Sequence, residues 1–183
     1  MKKLLVVFLL MPFISFSQSI EEQYMNLYLP KTAGKIVYME VVDVPGKTAD
    51  QLMSSTRKWF LDTFKSSDQV IEYENREDGI ISGNGNFSMI VSSMGYNIES
   101  ITNFNITIEV KEEKMRYKIQ ELDVSNSTNT RVPVETFFSR EWMIKKNGKP
   151  AKASWAWYEV YEEKIIGLEQ AIKNSSLKKT SEW

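Results

Sequence analysis

The chain contains no histidine and no cysteine among its 183 residues. That removes cysteine nucleophiles, histidine-based triads and the usual zinc and copper sites. The chemistry left is that of carboxylates, of Ser/Lys pairs, or of hard cations held on oxygen. Glu72 and Glu74 stand two residues apart on one predicted strand face, and Glu121 and Asp123 on another. Paired carboxylates hydrolyse glycosidic bonds when they flank a cleft at about 5–9 Å. Any solvated strand face shows the same spacing, and that is the commoner origin of such pairs. Asp78 lacks the ligand-dense spacing of an EF-hand. Gly83-Asn84-Gly85-Asn86 lacks the lysine and hydroxyl of a phosphate loop and leads into strand residues. Its glycines therefore read as points of close approach. No catalytic residue, cofactor or metal site is expected.

Two further groups could bind a ligand. Trp142, Trp155, Trp157, Tyr158 and Tyr161 could stack on sugars, although aromatics at helical spacing are more often core. The second group is Asn103, Asn105, Thr107, Arg116, Lys118 and Gln120, with Glu109, along one face of a predicted hairpin. Such a face is commonly just solvated, and is otherwise a docking surface for a protein or a glycan. Asn86, Asn105, Asn126 and Asn174 open Asn-x-Ser/Thr triplets, a motif too short and common to weigh.

The elements that would position these groups follow from periodicity. Phe104, Ile106, Ile108 and Val110 alternate with polar residues, as do Met115, Tyr117 and Ile119. A period of two with one apolar face predicts a half-buried antiparallel hairpin. A two-residue turn at Glu112-Glu113 would set Val110 opposite Met115, Ile108 opposite Tyr117 and Ile106 opposite Ile119. Near Gln120 the phase slips, because Leu122 and Val124 no longer match Ile119; a bulge is expected there.

Upstream, Lys35 to Val44 predicts a strand apolar on both faces, which suits the interior of a sheet. Thr48 and Gln51 form a capping box for a helix over 48–64, with Leu52, Met53, Thr56, Trp59, Phe60 and Phe64 as its stripe. Ser66-Ser67-Asp68 would stop that helix. Strands over 70–76 and 80–91 flank a three-residue loop, Glu77-Asp78-Gly79. That loop would place Tyr73 over Gly83 and Ile71 over Gly85, with residues 92–100 as a connection. Residues 125–131 predict a mobile loop, and 133–144 a short helix on the body. A final helix over 154–175 carries Trp157, Tyr161, Ile165, Leu168 and Ile172 as its stripe, widened by Trp155, Tyr158 and Ile166.

The chain's formal charge of −1 does not point to a polyanionic partner. Lys2-Lys3, the 11 apolar residues Leu4 to Ile14, and Ser15 and Ser17 read as the three zones of a signal peptide over 1–17. An apolar run that short does not span a bilayer. Loss of Lys2 and Lys3 would leave 21 basic against 24 acidic residues, or −3. The expected layout is a loose arm over 18–34, one domain over 35–175 and a tail over 176–183. The product is expected to be periplasmic or secreted, with no lipid anchor and no transmembrane segment after cleavage.

The order strand, helix, four strands, helix predicts an α+β fold with about five strands. Val41 to Gly46, the helix carrying Trp59-Phe60, Ile80 to Gly85 with its Gly-x-Gly, and the hairpin through Tyr117 resemble a family of small exported proteins and lipoproteins of Bacteroidetes. That family is described as a domain of unknown function with a TATA-binding-protein-like fold. The resemblance covers roughly Lys35 to Val124 and implies a single antiparallel sheet with two helices packed on one face. It supplies no catalytic residue. This chain departs from it by lacking a lipobox cysteine and by the long connection over 125–153.

The fold's namesake binds DNA through the open face. Here that face lacks apolar wedges, so no nucleic acid partner is expected. Three functions are expected in order: a non-enzymatic envelope or secreted binding module, a carrier of a small apolar ligand between sheet and helices, and a carboxylate hydrolase.

Overall fold

The computed structural model describes residues 20–64, 70–93, 95–125 and 130–177. The signal-peptide reading, the helix stop at 66–68, most of the tail and the centre of the loop over 125–131 lie outside the described residues.

The chain order is α1 (Ile20–Met25), β1 (Lys31–Thr32), β2 (Lys35–Ile36), β3 (Tyr38–Asp43), α2 (Ala49–Thr63), β4 (Ile71–Asn75), β5 (Ile80–Ser93), β6 (Tyr96–Lys111), β7 (Lys114–Ser125), β8 (Arg131–Pro133), α3 (Val134–Phe137), α4 (Arg140–Met143) and α5 (Lys152–Leu177). The main sheet has six strands in the order β3-β7-β6-β5-β4, with β8 beside β7, and β1-β2 form a separate two-stranded sheet. The architecture is α+β, with one more strand in the main sheet than expected and with short helices added to the two long ones.

The β6–β7 hairpin has the register its alternation predicts: Val110 faces Met115, Ile108 faces Tyr117 and Ile106 faces Ile119. The register shifts between Asn103 and Asn105. Glu121, with φ 56°, absorbs the extra residue, so Leu122 and Val124 return to the buried side. Phe104, Ile106 and Ile108 are buried, and burial of each such side chain contributes about 1.5–3 kcal/mol.

Both long helices lie on this inner face. The Phe64 ring at the end of α2 meets Phe104, and Tyr161 of α5 meets Phe87 of β5. The α2 capping box forms in full: the Gln51 N–H donates to the Thr48 hydroxyl and the Gln51 amide oxygen accepts from Thr48 N–H. Its buried side chains are Leu52, Met53, Thr56, Trp59 and Phe60. The α5 stripe is rotated from expectation: Tyr158, Tyr161, Ile165, Glu169, Ile172 and Ser176 are buried, while Trp157 and Leu168 are only half-buried.

Several expectations need correction. β3 is an edge strand, not an interior one; its outward Met39 and Val41 are 59% and 58% exposed. The 92–100 connection is strand: β5 and β6 pair out to Ser93 opposite Tyr96, with Gly95 at φ 82° in the turn. The β4–β5 loop is one residue longer than expected, so Asn75 pairs Ile80, and a bulge between Ile71 and Tyr73 then sets Ile71 opposite Gly83. Tyr73 lies opposite Ser82 on the outer side, half exposed.

Neither glycine is covered as predicted. A Cβ at Gly83 would meet the Val70 carbonyl, and one at Gly85 would meet the Phe104 and Phe64 rings at 2.7 Å. The arm is not loose: Ile20, Tyr24, Leu27 and Leu29 pack on the core, and Glu21 pairs with Arg140 at 2.7 Å. The region after β8 forms two one-turn helices that bury Val134, Phe138, Met143 and Ile144.

Candidate functional site

Two polar arrangements arise from the single alternation along β7. Arg116, Lys118 and Gln120 point to the open outer face, and Met115, Tyr117 and Ile119 point inward.

On the outer face, strand register arranges side chains in rows. One row runs Asn84, Asn105, Gln120 across β5, β6 and β7. Glu72 of β4 joins this row by accepting from the Asn84 amide, and the Asn105 amide donates to Asn84 Oδ1 at 3.2 Å. The next row runs Tyr73, Ser82, Thr107, Lys118, Met39, and the one after it Ile80, Glu109, Arg116, Val41. Arg116 donates to Glu109. On the other side, Asn103 donates to Asp123 Oδ1 at 3.1 Å. The six residues expected to bind a partner therefore do share one surface, flanked by Met39, Val41 and Tyr73, which the expectation did not include.

The carboxylate pairs separate. Glu72 reaches Asn84 on the outer face, whereas Glu74 lies opposite Ile81 on the inner side and pairs with Arg57 of α2 at 3.1 Å. The β4 bulge has broken their alternation. Glu121 is the bulge residue of β7, and Asp123 is held by Asn103. Asp78 accepts from the Asn75 side chain at 2.6 Å within its turn. Among the described residues no group of acidic, histidine or cysteine side chains is placed to hold a metal ion. Of the aromatics, Tyr158 and Tyr161 are buried, Trp155 donates from its indole to the Met143 carbonyl at 3.0 Å, and Trp142 is exposed.

The inner arrangement was not anticipated. Glu169 is 7% exposed. It accepts from Tyr117 Oη at 2.8 Å and from Tyr28 Oη at 2.9 Å. Tyr117 Oη also lies 2.9 Å from Glu40 Oε2, so its one hydrogen stands between two carboxylates. Lys173 Nζ lies 2.6 Å from the same Glu40 oxygen. That hydrogen bond holds the Glu40 carboxyl below its usual value. Burial, and then the bond to Glu169, pushes the Tyr117 phenol well above its ordinary range. Tyr28 is pushed up to about 12 by the same two causes in the same order. The Tyr28 carbonyl accepts from Tyr38 Oη at 2.9 Å and its N–H donates to Tyr158 Oη at 2.6 Å. Arm, edge strand, central strand and α5 are thus joined at one seam. A signal existed in the sequence: Glu169 stands four residues after Ile165 and three before Ile172, inside the apolar stripe.

The sheet from the edge strand to the β7 bulge has a counterpart among known proteins. Residues 38–125 match the model of a family described as a domain of unknown function with TBP-like fold, DUF4468. The DUF4468 match runs from Tyr38 at the head of β3 to Ser125 at the end of β7. It includes Glu40, Tyr117 and the whole open face made by β3 to β7, and it leaves out Tyr28, Glu169 and Lys173.

The solved structure of a DUF4468 family protein from Bacteroides ovatus is 17% identical, with TM-score 0.69, over 85% of this chain and 94% of that one. A TBP-like protein from Parabacteroides distasonis is 11% identical, with TM-score 0.64, over 81% and 96% of the two chains. At these identities the likeness shows the fold. No curated protein matches the chain. Among the described residues no helix is long and apolar enough to cross a membrane.

Proposed function

We propose that this protein is a non-enzymatic docking module of the bacterial envelope or its surroundings, holding a protein or glycan partner on the open sheet face. The observation that carries the reading is the asymmetry of the sheet. α2 and α5 both pack on one face, while the other presents exposed Met39, Val41 and Tyr73 among amides, hydroxyls and cations. Met39 and Val41 stand together on the edge strand, and adjoining exposed apolar side chains mark interaction sites where scattered ones do not. The basic, apolar and small-residue zones at the N-terminus support export.

The carrier reading required room over the glycines, and that space holds Phe104, Phe64 and the Val70 backbone. The hydrolase reading required paired carboxylates, and Glu72 and Glu74 face apart.

Site-specific photo-crosslinking in the host cell tests the docking reading. A photoreactive residue at Met39 or Thr107 on the open face is expected to trap a discrete partner, and one at Glu163 on α5 is not. Equal trapping at all three positions, or none at the open face, would overturn it.

A further inference from the structure

The open face is not uniform, and unbalanced charge gathers at the end beside the β6–β7 turn. Lys111 and Lys114 are direct cross-strand partners, an arrangement that is repulsive on its own. Arg116 and Lys118 follow on the same face of β7. The acidic side chains nearby are already engaged. Glu109 accepts from Arg116, and Asp43 lies 3.8 Å from Lys114. Glu113 accepts from the Gly46 N–H at 2.8 Å, and Glu112 from the Ala49 N–H at 3.0 Å at the start of α2. Lys111 and Lys118 have no ion pair among the described residues. Bonds to backbone N–H groups do not neutralise the Glu112 and Glu113 carboxylates, so the surplus belongs to the open face alone, where Lys111, Lys114, Arg116 and Lys118 stand against Glu109 and Asp43.

The same end holds a shallow depression of about 210 Å³, lined by Val41, Glu109, Lys111, Lys114, Met115 and Arg116. Pockets that enclose a whole drug-sized ligand run to about 300–1,000 Å³. A depression of this size suits one unit of a longer molecule. Next to it the edge strand β3 exposes Met39 and Val41. Cations and aliphatic side chains thus stand side by side along the sheet edge.

We infer that this end of the open face docks an acidic polypeptide segment, with its carboxylates against Lys111, Lys114 and Lys118 and its aliphatic side chains over Met39 and Val41. The inference rests on the docking reading above and narrows its partner from protein or glycan to protein. Two observations favour a polypeptide over an acidic glycan. The exposed apolar groups here are aliphatic, and the one exposed aromatic on this face among the described residues, Tyr73, lies on β4 at the opposite edge. The free edge of β3 also offers backbone groups to an extended chain.

The test is titration of the isotope-labelled protein with three probes, followed by backbone amide shifts. The probes are a short peptide of alternating Glu and Val, the same peptide with Gln for Glu, and an oligoglucuronate of equal charge. The Glu/Val peptide is expected to bind about tenfold more tightly than the Gln/Val peptide and to lose affinity as salt rises. Its shifts are expected along β3 and residues 111–118. Lys111→Glu with Lys114→Glu is expected to weaken it by about tenfold, with Lys118→Glu as an independent second variant. Circular dichroism and Tm are expected to stay unchanged in both. Equal affinity for the two peptides, shifts elsewhere, no peptide binding, or binding of the oligoglucuronate alone would each overturn the inference. Crosslinks at Met39 and Thr107 without acidic-peptide binding would leave the docking reading standing and remove this one. Loss of both results would remove both.

Discussion

Arg116 and Tyr117 are consecutive residues of β7, yet one lies in water and the other in the core. Tyr117 is fully buried, and its hydroxyl is fixed between Glu169 and Glu40. Arg116 keeps 48% of its side chain exposed and holds one carboxylate. On the inner face a buried polar atom is cut off from water, and the partners of Tyr117 and Glu169 come from the arm, β3 and α5, whereas Thr56 Oγ1 and Trp59 Nε1 of α2 are buried without one. On the outer face water satisfies what the protein does not, and cations can remain without ion pairs there. The inner seam therefore serves cohesion, while the outer rows are free to recognise something else. Counting polar residues would never separate Glu169 from Glu163, six positions and a wholly different environment apart on α5.

The largest expected effect contrasts the two faces at adjacent positions. Ile106→Ala on the inner face is expected to lower unfolding free energy by about 2–5 kcal/mol. Thr107→Ala on the outer face is expected to change it by less than about 0.5 kcal/mol. Urea denaturation of both variants measures the gap, and similar losses would erase the distinction between the faces.

Next in size is the seam. Glu169→Ala removes the acceptor of Tyr28 and leaves Tyr117 with Glu40 alone, and is expected to destabilise by about 1–3 kcal/mol. Glu169→Gln keeps one acceptor and is expected to lose less. Loss of Tyr28 contacts should also open the arm, read as faster amide exchange over 20–30. An Ala variant as stable as the parent would show that the seam contributes nothing net.

Taken one phenol at a time, the smallest effect is a pH dependence. Tyr28 is raised from 10.0 to about 12 in the fold. Tyr117, Tyr38, Tyr158 and Tyr161 are raised as well, in each case by burial first. In the unfolded chain these phenols ionise near 10 while the folded ones stay neutral, so the unfolded state binds fewer protons above that pH. The contribution to stability is therefore full below pH 10 and is lost as the pH rises toward 12. Urea midpoints between about pH 9 and pH 11 should fall steadily, and a flat profile would mean that these phenols ionise in the fold as they do in water.

How much of this was readable beforehand differs by region. The β6–β7 register, its bulge and the α2 capping box were all legible, because each depends on residues a few positions apart. The six outer-face residues were also placed together correctly, since a hairpin register carries both faces at once. The β4–β5 pairing was not legible. Its bulge at 71–73 arises where Gly83 lets the Val70 carbonyl come close, a contact between strands that no local pattern records. Glu72 and Glu74 consequently parted, although their spacing put them together. The lysine pair at 111 and 114 was visible as two residues flanking a turn. Its surplus charge emerged only when Glu112 and Glu113 were found turned toward α2 and the turn before it.

Short-range periodicity and capping chemistry were enough to define the long hairpin, the first helix and which side of the central strands is apolar. Strand order needed tertiary structure: β3 became an edge because β7 lies between it and β6, and its apolar outward residues became surface instead of core. The burial of Glu169 likewise depended on α5 settling over Tyr117, more than fifty residues away in the chain. Alternation reports which residues share a face. Only the packing of distant segments decides whether that face is covered, and so whether a polar group on it holds the molecule together or stays available to a partner.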